Sequence, residues 1–236
     1  MRYLFACIVS CFFYSAYAQT PGQQNAPFTI RGNLGLPIPV TSKSFHTTFA
    51  GLFEANMSFN LRLFGKFYAG VGYQASLFKC NKFLQQQLYT SPTKNTTVPY
   101  NTTMLGNGIF LKLGYDKFFS EKGKGYFSYA LNAGYMLCNY ADVNPDTSAT
   151  NRPYQSQRFS APFVQPEVSV NWIVERTLSF SLMFSYTTVL YRFDPRAPRF
   201  NQFDEIGKAS NRYAISWCTI GFGFNVLIHS KNPKRG

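Results

Sequence analysis

The stretch TFAGLFEANMSFNLRLFGKFYAGVGYQASLFK, residues 48–79, decides the fold. In Thr48–Leu61 the odd positions are Phe49, Gly51, Phe53, Ala55, Met57, Phe59 and Leu61, whereas the even ones include Thr48, Glu54, Asn56, Ser58 and Asn60. A period of two is that of a strand with one apolar and one polar face. After Arg62–Gly65 the pattern resumes, with Phe67, Ala69, Val71, Tyr73, Ala75 and Leu77 against Tyr68, Gly70, Gly72, Gln74 and Ser76. Two such strands about a tight turn make a hairpin.

The same unit recurs in both directions along the chain. Upstream, Phe28–Leu36 alternates and is expected to end at Pro37 and Pro39. Downstream, alternation returns in Ile109–Phe119, Phe127–Leu137, Val164–Val174, Leu178–Tyr186 and about Tyr213–Leu227. Pro166 cannot donate to a ladder, so a bulge is expected there, or a strand segment standing above the membrane. Short connections at Arg62–Gly65, Ser120–Gly125 and Glu175–Arg176 alternate with long polar ones at Pro37–His46, Asn81–Asn107, Asp142–Arg158 and Phe193–Asn211. About eight strands with one end short and the other long describe an eight-stranded antiparallel up-and-down transmembrane β-barrel, with short periplasmic turns and long extracellular loops.

Composition agrees with this all-β reading. Charged residues make up 14% of the 236, aromatics 18%, and the formal charge is +13; a soluble domain carries about 25% charge. Met1–Ala18 has Arg2, an apolar run from Tyr3 to Tyr14 and Ala16-Tyr17-Ala18 before Gln19, the pattern of a cleaved secretory signal. Residues 19–236 then form one barrel domain. Ile8-Val9-Ser10-Cys11 resembles a lipobox only weakly, because the apolar run before Cys11 is short and Phe12–Tyr14 after it is strongly apolar. No later segment has the 18 or more apolar residues of a membrane-spanning helix. Cys80, Cys138 and Cys218 remain in the mature chain. Their odd number favours unpaired thiols, a single Cys80–Cys138 bond being the alternative.

A soluble barrel with its apolar face inward would show the same alternation. The polar face decides between the two. It is Gly, Ser, Thr, Asn and Gln rather than Lys and Glu, which suits a narrow lumen, while the bulky face is Phe, Leu, Tyr and Val, which suits lipid. By the same parity Arg31, Glu54, Lys112, Asp116 and Glu167 point inward. Buried charge is costly unless paired, so these five are expected to form a salt-bridged plug, with no open pore.

Several segments resemble the small outer-membrane β-barrel proteins of Bacteroidota, the outer membrane protein beta-barrel family that includes PorT-like proteins and is similar in architecture to OmpA and OmpX. They are the signal ending Ala16-Tyr17-Ala18, Phe28-Thr29-Ile30-Arg31-Gly32-Asn33-Leu34-Gly35, Tyr68-Ala69-Gly70-Val71-Gly72-Tyr73 and Ile220-Gly221-Phe222-Gly223-Phe224-Asn225. The resemblance implies a Gram-negative outer membrane and a role as a structural or accessory subunit of a secretion or assembly complex, and it supplies no catalytic motif. The chain departs from the many barrels that end on an aromatic residue, since it continues as His229–Gly236 with Lys231, Lys234 and Arg235.

Some barrels of this size modify lipid A, which would need a nucleophile, a base and an orienting acid. The histidines are His46 and His229, and only His46 falls near the outer rim, beside Ser44, Thr47 and Thr48, with no local acid. The expectation is a protein without catalytic, cofactor or metal residues, in which His46→Ala leaves function intact. A lipid A-modifying enzyme and a narrow channel are the alternatives. Arg192, Arg196, Arg199, Lys208 and Arg212 flank the last loop, interleaved with Phe193, Phe200 and Phe203 and offset by Asp194, Asp204 and Glu205. Arginine with aromatics anchors interfaces, so this loop is expected to meet protein partners or the phosphates of lipid A. Outer-membrane lipid and outer-membrane or surface proteins are the expected partners, and nucleic acid is not.

Overall fold

Period-two sequences bury one face and expose the other only if every strand finds two neighbours, and closure into a ring supplies them. In the computed structural model, which describes residues 26–41, 43–80, 85–91, 94–99, 102–119, 125–142, 157–175, 177–193 and 214–228, they close. The barrel strands are β1 (Phe28–Thr41), β2 (Phe49–Phe64), β3 (Phe67–Cys80), β6 (Thr102–Phe118), β7 (Gly125–Asp142), β8 (Gln157–Glu175), β9 (Leu178–Val189) and β10 (Ile215–Ile228). Each pairs antiparallel with its sequence neighbours, and β1 pairs β10 to complete the ring. A short helix, α1 (Lys43–Thr48), lies between β1 and β2, and a separate two-stranded hairpin, β4 (Gln85–Ser91) and β5 (Lys94–Pro99), lies between β3 and β6.

Four details differ from the sequence expectation. β1 runs through Pro37 and Pro39 to Thr41. The Pro37 carbonyl lies against Gly51 of β2, so its ring nitrogen is on that side as well, beyond the last β1–β2 pair, Gly35 with Glu54, where no ladder bond is lost. Pro166 causes no bulge, because both ladders of β8 keep their register past it. Pro162 accepts from the Leu190 amide across β9, which puts the even residues of β8 on the β9 side. There, Gln165 and Pro166 are simply missing from the ladder. The register does shift between Gly51 and Phe53, and Leu52 is the extra residue. That shift turns Phe49 into the barrel, against its expected place on the outer face. Finally, β6 and β8 begin at Thr102 and Gln157, earlier than expected, so residues 81–107 are not all loop.

The β2–β3 turn is two residues, Gly65 and Lys66, and Gly65 has φ +54, a conformation that costs a residue with a Cβ about 1–2 kcal/mol. The signal segment, residues 120–124 of the second turn, Arg176 and the tail after Ile228 lie outside the described residues.

Candidate functional site

Inside and outside are sharply different. Along β6 the outward side chains Ile109, Leu111 and Leu113 are 71, 66 and 61% exposed, whereas Phe110 and Lys112 between them are 2 and 1% exposed. Pairs of rings gather on the outer wall at the turn end, with Phe64–Phe67, Phe67–Tyr115 and Phe119–Phe127 centroids 5.2, 4.9 and 4.9 Å apart. An apolar band with an aromatic border is what a bilayer demands of a barrel wall.

The lumen has two storeys. In the lower one, towards the turns, Arg31 meets the Asp116 carboxylate through Nη2 at 3.1 and 3.0 Å and donates through Nη1 to the Tyr68 hydroxyl (2.8 Å) and Ser128 Oγ (2.6 Å). Tyr68 crosses the lumen over Gly114, where a Cβ would fall 2.2 Å from the ring, so a larger residue at 114 would have to displace the tyrosine. Arg62 Nη2 stands 3.6 Å from the same aspartate. Nearer the middle, Lys112 Nζ donates to both oxygens of Glu167, at 2.8 and 2.9 Å. Asn132 bridges Glu167 (3.2 Å) and Gln165 (2.8 Å), and Gln165 donates to Glu54 (3.2 Å). Glu54 also accepts from Trp217 Nε1 (2.7 Å) and Ser76 Oγ (3.0 Å).

All five inward charges of the sequence reading are therefore buried, each at 4% exposure or less. Four meet in two ion pairs. The fifth, Glu54, is held by neutral donors, with no ion pair among the described residues. Arg62 was overlooked in the sequence although it shares the inward even positions with Ser58 and Asn60.

The upper storey, at the loop end, is apolar. Phe45 of α1 drops into the mouth with its centroid 5.5, 5.6 and 5.5 Å from those of Phe49, Phe78 and Phe193. Phe78 meets Trp217 at 5.1 Å, and Met104, Phe110, Met136, Cys138 and Phe163 complete the packing. Cys80 is buried in the same cluster, Cys138 and Cys218 are free thiols, and Cys218 is half-buried. Phe193 is buried here rather than offered to a partner, while Arg192 beside it is exposed. Arg196, Arg199, Phe200, Phe203, Lys208 and Arg212 lie outside the described residues. His46 is exposed on α1, and the Thr48 hydroxyl caps back onto the Ser44 carbonyl at 2.5 Å.

A closed antiparallel ring of eight strands, with an apolar outer wall and a polar, ion-paired lower lumen, defines a transmembrane β-barrel. No family model matches the chain, and no curated protein does. Among solved structures it is similar to the outer membrane protein OprG from Pseudomonas aeruginosa, at 12% identity and TM-score 0.48 over 90% of this chain and 100% of that one. It is also similar to Neisserial surface protein A (12%, 0.46, covering 86% and 97%) and to Ail of Yersinia pestis, solved with the heparin analogue sucrose octasulfate (8%, 0.40, covering 84% and 97%). The reading of the barrel rests on its own ladder and faces rather than on these likenesses.

Proposed function

We propose that the protein is a non-enzymatic outer-membrane barrel that serves as a subunit or docking platform, meeting its partners at the loop end. The observation that carries this is the filled lumen. Side chains lining a channel wide enough for water are wetted, yet Lys112, Asn132, Gln165 and Ser185 are exposed by 1% or less. An eight-stranded ring has an interior just wide enough for side chains, and here they occupy it. With the lumen packed and the wall given to lipid, the surface left for recognition is the loop end. The Bacteroidota resemblance supports a secretion or assembly machine as the setting, and the two-stranded β4–β5 hairpin at this end adds polar backbone that a partner can meet.

The test is gentle detergent extraction of the native protein through a tag on its C-terminal tail, followed by mass spectrometry of what stays bound. Outer-membrane proteins in fixed stoichiometry are the expected result. Recovery as a folded monomer from cells grown under several conditions would overturn the subunit role.

A further inference from the structure

Resting on the membrane reading above, we propose that the seam between β1 and β2 at the loop end is a lateral slot through which an acyl chain of the outer leaflet enters the apolar upper storey, with α1 as its movable strap.

The ladder between these two strands stops while both strands go on. Its last pair is Gly35 with Glu54, yet β1 runs to Thr41 and β2 starts at Phe49. Each stays paired on its other side, β1 with β10 up to Thr41 and Ser216, β2 with β3 up to Phe49 and Cys80. Among the described residues, the other ladders of the ring run to within a residue of the end of a strand.

Residue type builds this gap in. The ladder groups of a strand face its two neighbours alternately, so Pro39 faces β2 as Pro37 does, and neither has an N–H to give. In lipid an unmet N–H is costly, and the prolines leave none at these two positions. Opposite them Leu52 is the bulged residue of β2, and a Cβ built on Gly51 would run into the Pro37 carbonyl. The seam is thus shut by close contact of two backbones rather than by a ladder.

Both sides of the seam are apolar. Outward, Ile38, Val40 and Leu52 are exposed and continue the lipid-facing wall upward. Inward, Phe45, Phe49 and Trp217 are buried, and Trp217 is the β10 partner of Pro39. Lipid hydrocarbon is therefore what meets the seam from outside, and apolar side chains are what it meets within. A polar solute has less to bind, because Glu54 at the foot of the seam already accepts from Trp217, Ser76 and Gln165. The helix α1 joins the two edges, starting at Lys43 after β1 and running into β2 at Phe49. Parting the edges moves α1 with them and draws Phe45 from the mouth, leaving its space to the chain.

The experiment inserts the protein into phosphatidylcholine vesicles doped with a phosphatidylcholine that carries a photoactivatable diazirine at mid-chain, and maps the labelled residues by mass spectrometry. Labels are expected on the outward wall and, in addition, on Phe45, Phe49 or Trp217. A backbone bond regained at one proline favours the closed seam by roughly five-fold, so Pro37→Ala with Pro39→Ala should cut the inner labelling about 25-fold and leave the outer labelling unchanged. Phe45→Ala, which empties the space behind the seam, should raise the labelling of Phe49 and Trp217. Inner residues without label in the unaltered protein would overturn the slot, as would inner labelling that neither variant changes. Outer labels report insertion independently. Their absence would sink the membrane reading itself, whereas outer labels alone would sink only the slot.

Discussion

Lys112 and Glu167 sit in a part of the lumen closed to water, with exposures of 1 and 4%. Breaking a buried pair by removing one partner leaves the other charge uncompensated and costs about 3–5 kcal/mol. Lys112→Ala should therefore lose stability on that scale in urea unfolding of the vesicle-inserted protein, read by tryptophan fluorescence. Adding Glu167→Gln should restore most of the loss, because the amide still accepts from Asn132 and no naked charge remains. A double variant no more stable than Lys112→Ala would mean that the pair contributes packing and not charge balance. Lys112 and its neighbours were legible in the sequence because inward position follows parity alone. Phe49 was not, since an inserted residue at Leu52 reverses parity without leaving any Gly, Pro or polar mark of its own.

At the scale of elements, the tight β2–β3 turn is the connection where conformation can be tested apart from contact. A Cβ built at Gly65 meets nothing within 4 Å, so a substitution there is strained by backbone alone. Gly65→Val should cost about 1–2 kcal/mol or somewhat more for a β-branched residue, and Gly65→Asn distinctly less, because asparagine tolerates the left-handed region. Equal losses for Val and Asn, in the same unfolding measurement, would contradict a turn set by the positive φ. Strand cores were readable from alternation, but strand ends at the loop side were not. Above the apolar band a strand has no reason to alternate apolar with polar, so Thr102–Gly108 and Gln157–Phe163 look like loop in sequence while their backbones continue the ladders. Pro37 reads as a stop for a similar reason, as its effect depends on whether a ladder bond is made on its nitrogen side.

For the molecule as a whole, the strand number and the alternation of long with short connections were written plainly in the chain. The division of the lumen was hidden. Phe78, Phe110, Phe163 and Trp217 occupy inward positions next to outward apolar residues, so each pair reads as a short apolar run rather than as a break in the polar face. This division has a consequence for transport. An aromatic plug at the mouth and a hydrogen-bonded ion-pair layer beneath it are barriers in series, and ions must pass both. The unaltered protein should thus give no sustained conductance in planar bilayers at either polarity. Truncating the mouth with Phe45→Ala should not change that, because Lys112, Glu167, Asn132 and Gln165 still close the lumen below. Porin-like conductance in the unaltered protein would refute the filled lumen. Conductance gained from Phe45→Ala alone would show instead that the lower layer yields to water, and that α1 by itself keeps the barrel shut.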